Sequence, residues 1–185
     1  MKPTLIFVTS NKHKIEEAQE ALKEFDIQQV AKDIPEIQGT AEEIVKYKAQ
    51  RAFAQLKKPC FVEDVSLCID AWKGLPGPYV KIFMQTLKAQ GVWDLVKHLA
   101  DTSCSAVATI GYVESVASEK EPVLLTGVVK GKLVAPRGTG GWGFNPIFEP
   151  EGFKQTYAEM GGEAKSAISH RKKALEELHE YLKGR

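Results

Sequence analysis

The chain has 185 residues, of which 43% are apolar and 26% charged, so it is long enough for a real core and too hydrophobic for a disordered segment. Its formal net charge is +1, so no global field recruits nucleic acid or a membrane surface, and an anionic partner must be held by local Lys and Arg. Cys60, Cys68 and Cys104 are odd in number and lack C-x-x-C spacing, which argues against a disulfide framework or a zinc site and for buried thiols in a reducing compartment.

Leu5 to Thr9 reads as a buried strand. Its apolar part, Leu5 to Val8, is too short for a signal peptide or a membrane span, so a cytoplasmic location is expected. A helix follows with Ile15, Ala18, Leu22 and Phe25 on one face, placing Asn11 to Lys14 at its N-terminus. Ile27 to Ala31 is a second strand. Thr40-Ala41-Glu42-Glu43 is a capping box, and the helix behind it buries Ile44, Ala49, Ala52, Phe53 and Leu56 while Lys48 lies on another face. Pro59 ends that helix, and Cys60-Phe61-Val62 is a strand running into Glu63 and Asp64.

Gly and Pro make Trp72 to Tyr79 a loop. Val80, Phe83, Met84 and Leu87, then Val92, Leu95, Val96 and Leu99, mark two helices separated near Gly91. Ala106 to Val113 and Val123 to Val134 form a hairpin joined through Ser118 to Glu121. A Gly-rich loop, Ala135 to Phe144, precedes a long amphipathic helix from Glu163 to Leu182. Strand and helix alternate as in an α/β fold with a mixed sheet.

Three groups of residues carry chemistry. Thr9, Ser10, Asn11, Lys12, His13 and Lys14 combine the N–H groups of a helix start with two lysines, which favours a phosphate; the same pattern also suits a solvated turn. Glu63 and Asp64, with Glu36 in a Pro-Glu-Ile-Gln-Gly loop, stand where α/β sheets place ligands. Magnesium on a phosphate typically takes only a carboxylate or a pair of them from the protein. Exposed acids at an element boundary are the competing reading. The third group is Trp142, Gly143, Phe144 and Asn145 with Lys165, Ser169, His170 and Arg171. Aromatics stack on bases and Arg reads a carbonyl or a phosphate, but a packed aromatic loop beside a charged helix face has the same composition. Gly138-Thr-Gly140-Gly-Trp-Gly143 matches G-x-G-x-x-G, yet Asn-Pro follows where a dinucleotide-binding helix should begin. No Walker P-loop is present.

Taken together, TSNKHK, PEIQGT, FVEDVSLCIDAWKGLPGPY, VAPRGTGGWGFNPIFEPEG, TYAEM and EAKSAISHRKKAL run in order from end to end. With them the chain resembles the inosine triphosphate pyrophosphatase family of house-cleaning nucleotide hydrolases. The resemblance implies an α/β fold with an elongated mixed sheet and helical lobes flanking a central nucleotide-binding cleft. It implies a single domain over residues 1–185, in two lobes, that forms a homodimer and binds neither nucleic acid nor membrane. The implied reaction is cleavage of non-standard purine nucleoside triphosphates (ITP, dITP, XTP) to the monophosphate and pyrophosphate with magnesium (Mg2+), by attack at the α-phosphorus.

Residue by residue, the resemblance makes Thr9 to Lys14 the cradle of the triphosphate and Glu36 and Asp64 the magnesium ligands. Asp64 also orients or deprotonates the attacking water. Lys48 and Lys165 neutralise phosphate, Trp142 to Asn145 cover the base, and His170 with Arg171 recognise its edge. A guanidinium only donates, so it favours the O6 acceptor of hypoxanthine over the amino group of adenine. Three positions depart from the family pattern. Ser10 stands where Gly is usual, Val65 stands beside Asp64 at a phosphate-facing position usually held by a small hydroxyl residue, and Asn145 replaces an Asp. Two rivals remain: a pyrophosphatase for modified pyrimidine nucleotides, and a catalytically silent nucleotide-binding module, which would not need Glu36, Asp64 and Lys48 together.

Overall fold

The computed structural model describes residues 2–32 and 34–184. The chain divides into two compact units. Unit 1 comprises residues 1–64, 108–127 and 171–185, and unit 2 comprises residues 65–107 and 128–170. A seven-stranded mixed sheet runs in the order β2-β1-β3-β5-β6-β7, with a short β4 paired to β3.

In unit 1, β1 (Thr4–Val8) is buried everywhere but at Thr4, as a strand covered on both faces requires. It pairs in parallel with β2 (Asp26–Val30) and with β3 (Cys60–Ile69). Alternation along these strands separates two faces. On one, Ile6, Val8, Cys60 and Val62 pack with Val45, Ala49, Ala52 and Phe53 of α2 (Ala41–Leu56). On the other, Phe7 and Phe61 stack with ring centroids 4.2 Å apart. The capping box of α2 is present: Thr40 Oγ1 accepts from the Glu43 amide at 3.2 Å, and the Thr40 amide donates to Glu43 Oε2 at 2.8 Å.

In unit 2, α3 (Val80–Val96) packs Val80, Val92 and Val96 into a core with Leu67, Ile69 and Leu133. The rest of that core comes from Cys104, Ala106, Val129, Phe144, Ile147, Phe148 and Tyr157. β5 (Ser103–Val113) and β6 (Val123–Leu133) are neighbours in the sheet, and β7 (Phe148–Pro150) pairs antiparallel with β6.

Several elements differ from the sequence expectations. Helix α1 (Lys12–Ala21) ends before Leu22, whose φ of −112° and ψ of 46° leave the helix. Leu22 is nevertheless fully buried, so its apolar spacing reported burial and not helix length. Strand β3 continues through Glu63 and Asp64 to Ile69 because Leu67 and Cys68 pair with Gly77 and Pro76 of β4 (Pro76–Gly77). The two acids therefore sit within a strand and not at its end. The expected loop Trp72 to Tyr79 contains β4 and is preceded by a 3-10 turn, Asp70–Trp72. The break between the two α3 segments falls at Lys88 (φ 60°, ψ 178°) and not at Gly91. Gly91 stays helical and its missing side chain makes room for Leu87, whose Cβ is 2.9 Å from where a Gly91 Cβ would stand. Leu87 and Leu95, expected to be buried, are exposed. A short helix α4 (Tyr157–Met160) precedes the expected C-terminal helix, which is itself broken into α5 (Gly162–Ile168) and α6 (His170–Lys183) by extended backbone at buried Ser169 (φ −70°, ψ 151°). That break marks the passage of the chain from unit 2 back to unit 1.

Gly111 of β5 lies directly under α2: a Cβ there would stand 2.7 Å from Val45 Cγ1 and 3.0 Å from Ala49 Cβ. Neither neighbour can withdraw from a filled core. Gly111→Ala is expected to destabilise the protein by about 1–3 kcal/mol, read as a lower denaturant midpoint; an unchanged midpoint would show that α2 is free to lift away.

Candidate active site

The unit 1 residues are organised by the turn after β1 and by β3. Asn11 caps α1, its Oδ1 accepting from the amides of His13 (3.0 Å) and Lys14 (3.4 Å). Two N–H groups that the sequence offers to a phosphate are thus already engaged by Asn11. Thr9 Oγ1 accepts from the Asn11 amide at 3.1 Å. Ser10 is not among the described residues with positive φ, so it occupies its turn without the strain expected where the family has Gly. Lys12 and His13 are exposed, and His13 lies 3.6 Å from Glu16.

Consecutive residues of a strand point to opposite faces, and β3 uses this to send its two acids in different directions. Asp64 faces α2, where Lys48 Nζ donates to its Oδ1 at 3.1 Å and also reaches Glu36 Oε1 at 3.4 Å. Both Asp64 and Lys48 are largely sheltered, at 15% exposure, while Glu36 is about half exposed at 49%. Burial pushes the Asp64 carboxyl above the usual aspartate range, although Lys48 and Lys14 pull it down. Glu63 faces the other way. Both its oxygens accept from Arg171 Nε, at 3.0 and 2.9 Å, and Arg171 Nη1 donates to Glu17 Oε2 at 2.9 Å. Lys14 Nζ donates to the Glu63 carbonyl at 3.2 Å and lies 3.5 Å from its Oε1. For Arg171, burial works against the charge, but Glu63 and Glu17 outweigh it and raise the guanidinium pKa further.

Among the described residues no group of three or more His, Cys, Asp or Glu could hold a metal ion. Glu36 and Asp64 do converge on one cationic atom, the Lys48 ammonium. A pair of carboxylates of this kind fits a magnesium ion whose other ligands are water and substrate phosphate.

In unit 2 the Gly-rich loop lies against α4. A Cβ on Gly138 or Gly140 would stand 2.8 or 2.7 Å from backbone atoms of Ala158, and Gly138 takes φ +78°. The loop leads into a 3-10 turn, Asn145–Ile147, and not into the α-helix that dinucleotide binding would require. Phe144 is a core residue, 5.9 Å and 74° from the Phe148 ring, whereas Trp142 keeps exposed surface. Lys165, only 7% exposed, places Nζ 5.6 Å from the Trp142 ring centroid and 5.8 Å from that of Tyr157. His170 lies within 6.1 Å of Tyr157 and 5.9 Å of Phe144 by ring centroids. Asn145 is 4% exposed, and its Nδ2 has no hydrogen-bond partner among the described residues. Val65 packs against the unit 2 core, which accounts for an apolar residue at that position.

A family model described as the Ham1 family matches residues 5–181. The chain belongs to the Ham1 family. It is 47% identical over 184 residues to a protein of Tuber melanosporum named inosine triphosphate pyrophosphatase, covering 98% of each chain. A protein of the same name from Pyricularia oryzae is 43% identical, with 98% of this chain and 94% of the relative covered. Among solved structures, a HAM1 protein from Coxiella burnetii superposes with a TM-score of 0.88 at 28% identity, covering 99% of this chain and all of that one.

Sequence reasoning on this Ham1-family chain missed two participants. Glu17 lies three residues after Lys14 on α1, a spacing that brings side chains to one face and was the available signal. Tyr157 appears in the TYAEM segment, but no local feature announces its contact with Lys165. The cysteines are free, with Cys60 and Cys104 buried; burial pushes the Cys60 thiol up to about 12 and raises the other two. No activated thiol nucleophile is present among them.

Burial lowers the Lys14 pKa below the ordinary lysine range, and Arg171 adds to this, while Glu63 opposes it. Above its folded pKa and below the unfolded value of about 10.4, the native state binds fewer protons at Lys14 than the unfolded chain, so its contribution to stability rises with pH. Side-chain NMR should find one ammonium titrating ahead of the other lysines, and Lys14→Arg should remove it. A spectrum in which all lysines titrate together would contradict the assignment.

Proposed function

We propose that this Ham1-family chain hydrolyses non-standard purine nucleoside triphosphates, ITP, dITP and XTP, to the monophosphate and pyrophosphate, clearing them from the nucleotide pool. The reading is supported by near full-length similarity to proteins named inosine triphosphate pyrophosphatase. The observation that carries the chemistry is Asp64, a sheltered carboxylate whose pKa is raised by burial, held at 3.1 Å by Lys48 with Glu36 on the same ammonium. Residues 1–185 act as one enzyme domain, located in the cytoplasm and assembled as a homodimer. Among the described residues no helix is long and apolar enough to cross a membrane.

Asp64 takes a proton from the attacking water, and its raised pKa makes it a stronger base than an exposed aspartate. Lys48 keeps Asp64 oriented and neutralises charge that builds on the phosphate. Glu36 and Asp64 would hold magnesium, which would supply charge neutralisation on the triphosphate. Lys12 and Lys14, with Thr9 to His13 around them and Val65 alongside Asp64, receive the triphosphate and the departing pyrophosphate. Trp142 to Asn145 cover the base, and Lys165, held by the rings of Trp142 and Tyr157, positions the nucleotide. His170 and Arg171 read the 6-keto edge, Arg171 being oriented in advance by Glu63 and Glu17.

With ITP and magnesium, the expected primary products are inosine monophosphate and pyrophosphate, and chromatography that finds the diphosphate and orthophosphate would refute the reading. Asp64→Asn keeps the shape of the side chain but removes the proton acceptor, so turnover should fall at least about 10²-fold with folding intact. A folded variant with near-normal turnover at saturating magnesium would remove Asp64 from the mechanism.

A further inference from the structure

The buried charges around β3 include one residue for which the reaction has no direct use. Glu63 has a side chain with 0% exposure, closed off from solvent. Its carboxylate is nevertheless divided between two cations. Both oxygens accept from Arg171 Nε at 3.0 and 2.9 Å, and Oε1 lies 3.5 Å from Lys14 Nζ. The Glu63 carbonyl accepts from the same Nζ at 3.2 Å, so Lys14 is gripped twice by one residue.

A lysine side chain has a long flexible stem, and an ammonium placed by solvent alone would sample many rotamers. Here the stem ends against a carboxylate that cannot move, because Arg171 is 1% exposed and is itself tied to Glu17 at 2.9 Å. The two cations, Arg171 and Lys14, face two carboxylates, Glu63 and Glu17, so the cluster is balanced only while Glu63 is charged. Without that charge Lys14 would be repelled by Arg171 and released from its anchor.

We propose that Glu63 is a positioning residue: through its pairing with Arg171 it fixes the Lys14 ammonium in the place where Lys14 meets the substrate's phosphates. The inference rests on the reading of Lys14 as a triphosphate ligand. Asp64, the next residue of β3, faces Lys48, so neighbouring carboxylates of one strand place the two lysines separately.

The test uses inorganic triphosphate with magnesium, a probe without a base, and measures its Kd by calorimetry. Glu63→Gln should weaken binding about tenfold, the scale of one charge-assisted hydrogen bond, and Lys14→Met should do so at least as strongly. In the Lys14→Met background, Glu63→Gln should have little further effect. Glu17→Gln, which loosens Arg171 but leaves the Glu63–Lys14 contact, should lower Tm and weaken triphosphate binding by less than Glu63→Gln does. If Lys14→Met does not alter Kd, Lys14 is not a phosphate ligand and the functional reading of that residue fails. If Lys14→Met weakens binding but Glu63→Gln does not, or if the two effects multiply, only the positioning role fails. Equal weakening by Glu17→Gln would reduce Glu63 to a structural residue. Should Glu63→Gln not fold, Glu63→Asp, which keeps the charge but withdraws it from Lys14, takes its place under the same criteria; failure of both to fold would overturn the proposal.

Discussion

Arg171 is a guanidinium with 1% of its surface exposed, and a buried cation is tolerated only when carboxylates surround it. Glu63 and Glu17 meet that requirement, and in doing so they tie α6, β3 and α1 of unit 1 to a common point. Removing one partner of such a pair typically costs about 3–5 kcal/mol, because the other charge is left without compensation. The direction of Lys14 and the orientation of Arg171 both follow from that one electrostatic constraint.

The same strand that holds this pair separates it from Asp64. Glu63 and Asp64 are adjacent in sequence, yet the pleat turns one toward Arg171 and the other toward Lys48 on α2. Burial then acts on the two faces with different outcomes. Burial raises the pKa of the Asp64 carboxyl, whereas Glu63 is the main charge that holds Arg171 ionised against its burial. The α2 capping box fixes where that helix begins and thereby which turn presents Lys48.

Unit 2 works by packing. Phe144, Phe148 and Tyr157 form an aromatic core, and glycines at 138 and 140 bring the loop backbone close to α4 where any Cβ would collide. Lys165 is sheltered against the rings of Trp142 and Tyr157, an arrangement in which the electron-rich ring faces replace part of the lost hydration. Asn145 buries an amide donor without a partner among the described residues, a cost of about 1–3 kcal/mol that a hydrogen-bonding ligand would relieve.

Much of this was legible in the amino-acid order, because short-range physics decides it. The buried strand at Leu5 to Val8, the helix start at Asn11 to Lys14, the Thr40–Glu43 capping box and the placement of Lys48 off the apolar face of α2 depend on neighbours within a few residues. The motif order likewise carried the family, since several long segments in sequence are more specific than any one contact. What only the tertiary structure decided are the long-range matters. Strand β3 runs past its acids because β4 pairs with its far end, and the C-terminal helix breaks at Ser169 where the chain changes units. Arg171 meets Glu63 across 108 positions of sequence and Glu17 across 154, separations at which no local pattern records a partner. Periodicity says which side a residue faces; the residue it meets there is chosen by how distant elements pack.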